Sequence, residues 1–111
     1  APTAGAVSHG FAVDQAVVDG STVVRVTGEV DAASSPEFAA ALDGAAQQGR
    51  PVVLDLSRTT FIDSAGIRIL VRSMWAIREA GSSLRLASAS EQVETVLRIT
   101  GILDVLKEPA P

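Results

Sequence analysis

A chain of 111 residues, 47% of them hydrophobic, has the size and composition of one packed domain, too short for two ordinary ones and too apolar for a disordered segment. Its net charge of −4 argues against nucleic acid as a partner, because phosphates must be neutralised by Lys and Arg. The lack of Cys excludes a disulfide scaffold and thiolate metal sites and fits a reducing, cytoplasmic setting, and no apolar run approaches a membrane span, so no direct membrane binding is expected.

Residues 1–10 are small and polar and read as a flexible lead-in that holds the single histidine, His9, which gives zinc and imidazole base chemistry little to work with. Phe11, Val13 and Val17 share the parity of a strand. Asp19-Gly20 marks a two-residue hairpin turn, and Thr22 to Thr27 returns as a β-branched second strand that leaves through Gly28-Glu29-Val30-Asp31. Ser35-Pro36-Glu37 has the order of a helix start: a capping hydroxyl, a proline where no N–H is needed, then an acid at the positive dipole end. Phe38, Leu42 and Ala45 supply its apolar stripe and Gly49 ends it.

Pro51 to Ser57 reads as a third strand whose near-continuous apolar run predicts burial on both faces. A long helix follows from Ser64 to Ala80, stopped at Gly81, and Ser83 to Ala87 alternates as a fourth strand with Leu84 and Leu86 on one face. Ser88-Ala89-Ser90-Glu91 has the form of a capping box opening a helix with Val93, Val96, Leu97 and Thr100. Gly101 closes that helix, Ile102 to Leu106 forms a short last element, and residues 109–111 form a terminal tail beyond a domain of residues 11–108. Hairpin, helix, strand, helix, strand, helix is the order of an α/β domain: a small mixed sheet whose later strands are parallel and joined by helical crossovers. Partners and ligands of such sheets gather at the carboxyl ends of the strands, which directs attention to Arg58–Gly66.

In that stretch Asp63 is placed to cap the long helix, leaving the Ser64 hydroxyl exposed at its first position, beside a dipole end that tolerates anions. Gly66 would keep the backbone uncluttered for another protein's approach. Ile67, Leu70, Val71, Met74 and Ile77 form the core stripe, and Arg68, Arg72, Trp75 and Glu79 the opposite face. Spacing alone favours plain capping for Asp63-Ser64 and a solvated face for Arg68 and Arg72. Trp75 reads either as half-buried against the fourth strand or as an interface anchor.

Four ordered segments bear on that choice. They are Val26-Thr27-Gly28-Glu29-Val30-Asp31, Val52-Val53-Leu54-Asp55-Leu56-Ser57, Phe61-Ile62-Asp63-Ser64-Ala65-Gly66-Ile67 and Val96-Leu97-Arg98-Ile99-Thr100-Gly101-Ile102. Together, from Phe11 to Leu106, they resemble the STAS domain family, and within it the bacterial anti-sigma factor antagonists. The resemblance implies a STAS-type fold and a non-enzymatic regulator. It makes Ser64 the residue phosphorylated by an anti-sigma factor that is itself a serine kinase, with ATP and magnesium belonging to that kinase and no cofactor of the chain's own. The unphosphorylated form would bind the anti-sigma factor and release a sigma factor. Phosphorylation would end binding, and a serine phosphatase would reset the switch. Asp31, Asp55 and Asp63 would surround Ser64, with Asp55 supporting an acidic pocket, and Asp31, Asp63, Ala65, Gly66, Arg68, Arg72 and Trp75 would meet the partner. The family usually has Ser or Thr where this chain has Ala65, so Ser64 is the one hydroxyl in the turn.

Two other chemistries fit less well. A nucleophile elbow wants Gly where Ile62 stands, and an aspartyl-phosphate receiver built on Asp55 needs an acidic pair after the first strand and a better-placed lysine than Lys107. Within the same fold the alternative is a nucleotide- or lipid-sensing STAS module excised from a larger sensory or transport protein, which the lack of an initial Met leaves open.

Overall fold

The computed structural model describes residues 10–107, so His9, residues 1–9 of the expected lead-in, Glu108 and the expected C-terminal tail lie outside the described residues. A four-stranded mixed sheet in the order β1-β2-β3-β4 is built from β1 (Ala12–Val18), β2 (Ser21–Val30), β3 (Val52–Ile62) and β4 (Leu84–Ala89). β1 and β2 are antiparallel, and β2, β3 and β4 run parallel. The helices are α1 (Ser35–Ala46), α2 (Ser64–Glu79), α3 (Glu91–Ile99) and α4 (Ile102–Lys107). Asp19 and Gly20 turn the β1–β2 hairpin with φ of 50° and 80°, the positive pair that a type I′ turn requires.

Side-chain parity decides where the core lies. Val24 and Val26 on β2, Val52, Leu54 and Leu56 on β3, and Leu84 and Leu86 on β4 share one face and are buried. Phe38, Leu42 and Ala45 of α1 and Leu70, Met74 and Ile77 of α2 join them in one cluster, closed by Val93 and Leu97 of α3 and Leu103 and Leu106 of α4. Each such aliphatic side chain withdrawn from water contributes roughly 1.5–3 kcal/mol. On the other face Val53 is also buried, but Asp55 is half-exposed and Arg25 and Arg85 are exposed. The predicted two-sided burial of the third strand therefore holds only at its start.

Two strands run further than the sequence suggests. β2 continues through Gly28-Glu29-Val30 and β3 through Arg58 to Ile62, because these stretches pair with each other. β3 carries two extra residues relative to β2: Arg25 pairs with Asp55 but Thr27 with Arg58, and Gly28 pairs with Thr59 but Glu29 with Phe61. Such bulges break alternation, so the buried positions shift from Leu56 to Thr59 to Ile62. Thr59 is fully buried, and its hydroxyl donates to the Val26 carbonyl at 2.9 Å. Gly28, with φ of 95°, tolerates no side chain: a Cβ there would lie 1.4 Å from the Gly10 carbonyl oxygen. Gly10, expected in the lead-in, is thus fixed against β2.

The helix starts differ by a residue or two from expectation. The α1 cap position falls on Ser34, which turns its hydroxyl back to the preceding turn, while Ser35 Oγ donates to the Ala32 carbonyl at 3.2 Å. Ser88 and Ala89 belong to β4, paired with Asp55 and Leu56, so the capping box does not form. Ser90 caps α3 instead, accepting from the Val93 N–H at 3.3 Å and donating to the Thr59 carbonyl, which ties α3 to the bulged part of β3.

Candidate functional site

The parallel strands β2 and β3 end level with each other. Val30 pairs with Ile62, and the Asp63 N–H donates to the Val30 carbonyl at 3.1 Å, which brings the segments holding Asp31 and Asp63 side by side. Asp31 is fixed by a reciprocal pair with Ser34: its carboxylate Oδ1 accepts from the Ser34 N–H at 3.0 Å, and its own N–H donates to Ser34 Oγ at 2.9 Å. The Ser34 hydroxyl in turn donates to the Glu29 carbonyl at 2.9 Å. This accounts for a fully buried serine at a helix start whose hydroxyl does no capping.

Asp63 does cap α2. Its backbone is extended, and Oδ1 accepts from the Ala65 and Gly66 N–H groups at 2.9 and 3.2 Å. Ser64 follows at the first helical position with an exposed side chain, and its hydroxyl makes no hydrogen bond to another described residue. One hydroxyl is thus presented to solvent at the carboxyl end of the sheet. Because Phe61 and Ile62 are the last residues of β3, the turn itself shrinks to Asp63.

Gly66 has a different role from the one expected. It is buried, and a Cβ on it would lie 2.6 Å from Val30 Cγ1 and 2.8 Å from Ile62 Cγ1. Its small size lets the first turn of α2 sit against the ends of β2 and β3; it is not a surface for an incoming protein. Ala65 is half-exposed.

Ser64, Arg68, Arg72, Trp75 and Glu79, at steps of three and four residues, are all exposed on one face of α2, while Leu70, Met74 and Ile77 are buried on the other. Trp75 is 55% exposed, and the Arg78 guanidinium lies 6.0 Å from its ring centroid. Phe61, 48% exposed three residues before Ser64, adds an apolar element that a third strand ending at Ser57 did not anticipate; β3 runs on to Ile62, and the bulge after Thr59 leaves Phe61 facing outward.

Asp55 does not belong to this group. It pairs with Arg25, five residues before Val30 on β2, so along the sheet it lies roughly 16 Å from the strand ends. Its carboxylate accepts from the Ser57 hydroxyl at 2.6 Å and N–H at 2.9 Å, and meets Arg25 Nε at 3.3 Å. Burial by itself would raise the Asp55 pKa, but the Ser57 hydrogen bonds and the Arg25 charge outweigh it and hold the carboxyl below its ordinary value. Asp55 thus supports the open sheet face and not an acidic pocket around Ser64.

Among the described residues no three His, Cys, Asp or Glu side chains are grouped to hold a metal ion, and no helix is long and apolar enough to cross a membrane. The site offers an exposed hydroxyl, neighbouring carboxylates and a helix face with two arginines and one aromatic.

Comparison with known proteins gives one consistent result. The family model described as STAS domain matches residues 12–109. The anti-sigma-B factor antagonist of Bacillus subtilis is 30% identical over 83 residues, covering 75% of this chain and 76% of that protein. Among solved structures, an anti-sigma factor antagonist from Mycobacterium paratuberculosis superposes with a TM-score of 0.76 at 23% identity, covering 90% and 86% of the two chains. The Bacillus protein SpoIIAA matches in its unphosphorylated form with a TM-score of 0.70 at 21% identity, covering 91% and 88%. Its phosphorylated form matches with 0.65 at 22%, covering 91% of each chain. At these identities the structural matches show the fold.

Proposed function

The chain belongs to the STAS domain family, in its anti-sigma factor antagonist group, and from that premise we propose that it is a partner switch thrown by phosphorylation of Ser64. In this reading the unphosphorylated protein binds a cytoplasmic anti-sigma factor, a serine kinase, and thereby frees a sigma factor. The kinase transfers the γ-phosphoryl group of its own magnesium-bound ATP: the Ser64 Oγ–P bond forms, the bond to the β-phosphate bridge breaks, ADP leaves, and the hydroxyl proton is released. A serine phosphatase restores the hydroxyl by hydrolysis. The observation that carries the proposal is the exposed Ser64 hydroxyl at the start of α2, beside Asp63 and next to the Asp31 segment, in line with Arg68, Arg72 and Trp75. That SpoIIAA exists in both unphosphorylated and phosphorylated forms on the same fold supports it.

The magnitude is sufficient without refolding. A phosphate adds about −1.5 to −2 charge, and two unit charges ~4 Å apart at an effective dielectric of ~20 interact by about 4 kcal/mol. A loss of that size weakens binding nearly a thousandfold, at about 1.4 kcal/mol per decade. Carboxylates of the partner facing Ser64 would supply the repulsion.

The test is co-expression with each serine kinase of the histidine-kinase-like ATPase fold from the same genome, followed by phosphopeptide mass spectrometry and binding measurements. Ser64→Ala should bind the kinase and remain unmodified, and Ser64→Asp should bind more weakly. Transfer of phosphate to another residue in the Ser64→Ala protein would overturn the assignment.

A further inference from the structure

We propose that Arg68 is the internal counter-ion of a phosphate on Ser64, an ion pair within α2 that holds the modified side chain against the helix. The inference rests on the reading of Ser64 as the modified residue and concerns what the chain does with the phosphate once it is there.

The helix start has few donors left for a new anion. Asp63 Oδ1 already accepts from the Ala65 and Gly66 N–H groups, and the Ile67 N–H donates to the Asp63 carbonyl at 3.0 Å. A phosphate on Ser64 would also follow directly on the Asp63 carboxylate, which repels it and offsets part of what the dipole end of α2 supplies. A cation on the helix face would add the missing stabilisation.

Arg68 fits that need by position. Residues four apart on a helix have Cβ atoms about 5–6 Å apart, and long helical side chains lean toward the N-terminus, which carries the Arg68 guanidinium toward Ser64. Both side chains are exposed, and Arg68 forms no ion pair with another described residue. Arg72 is two turns away, beyond direct reach of Ser64.

The same chain contains the arrangement already made. On α3, Glu94 Oε1 meets Arg98 Nη2 at 3.2 Å, an acid four residues before an arginine. A phosphoserine places its terminal oxygens as many bonds from Cβ as a glutamate does, so phosphorylated Ser64 and Arg68 reproduce the spacing, order and reach of Glu94 and Arg98, with a larger charge.

The experiment installs phosphoserine genetically at position 64, which needs no kinase and so separates this inference from the identity of the modifying enzyme. The second ionisation of the phosphate is followed by phosphorus NMR in the full chain. Arg68→Gln should raise that pKa by about half a unit, a threefold change in proton affinity, and Arg72→Gln should move it by less than half as much. Arg68→Lys, which keeps the charge, should restore most of the shift. An unchanged titration in Arg68→Gln, or an equal shift in Arg72→Gln, would overturn the pairing. Failure of every kinase to modify Ser64 would instead count against the function proposed above.

Discussion

Replacing Gly66 by Ala sets two opposite effects against each other. Inside a helix, alanine is favoured over glycine by about 0.8–1.0 kcal/mol, so in open surroundings the substitution stabilises. At Gly66 the new methyl would stand 2.6 Å from Val30 Cγ1, 2.8 Å from Ile62 Cγ1 and 3.2 Å from Ile62 Cδ1. Both neighbours are buried at the ends of β2 and β3, so the clash is relieved by lifting the first turn of α2 off the sheet. Overpacking of this kind costs roughly 1–3 kcal/mol, which leaves a net loss of up to about 2 kcal/mol after the helix gain. Gly44 in α1 supplies the control, since a Cβ there meets nothing within 4 Å. Urea unfolding should show the midpoint falling for Gly66→Ala and rising for Gly44→Ala, with unchanged slopes. If Gly66→Ala stabilised as much as Gly44→Ala, the close seating of α2 on the strand ends would be wrong.

Two further outcomes follow from the same structure. The folded pKa of Asp55 is depressed, so the stability it contributes is fully present above its unfolded value near ~3.9 and is lost as pH falls through the lower folded value. Asp55→Asn should therefore flatten the acid limb of a stability–pH curve, by less than about 1 kcal/mol for a solvent-screened pair, and a mutant curve parallel to wild type at low pH would refute this. Trp75→Ala should change stability by no more than about 0.5 kcal/mol, because over half of the side chain is already in water, yet weaken binding of the anti-sigma factor roughly tenfold if α2 presents it to the partner. Unchanged affinity, measured by calorimetry, would remove Trp75 from the interface.

Local signals read from the sequence survive where a single residue type dictates the geometry. Asp19-Gly20 requires positive φ, the Leu70-Met74-Ile77 stripe requires a buried helix face, and Asp63 has the side chain to cap α2. What failed depends on pairing between distant segments. The ends of β2 and β3 are strands only because they face each other across two bulges, and nothing within Arg58-Thr59-Thr60-Phe61 announces the extra residues. The same blindness placed Asp55 beside Ser64, since strand length sets their separation. Gly66 was misread because Gly looks alike in sequence whether it clears a surface or a buried contact; only the nearness of Val30 and Ile62 tells them apart.

The two bulges in β3 also let its length differ from that of β2 without turning either face over. β2 alternates unbroken from Val26 to Val30, while the three-residue steps from Leu56 to Thr59 and from Thr59 to Ile62 on β3 absorb one extra residue each. Losing one of those extra residues would restore ordinary alternation at that step and leave Thr59 and Ile62 facing the core. The place of the Ser64 turn is therefore held by the pairing of Val30 with Ile62 at the strand ends, and the number of residues between Leu56 and Ile62 is free to change wherever a bulge takes up the difference.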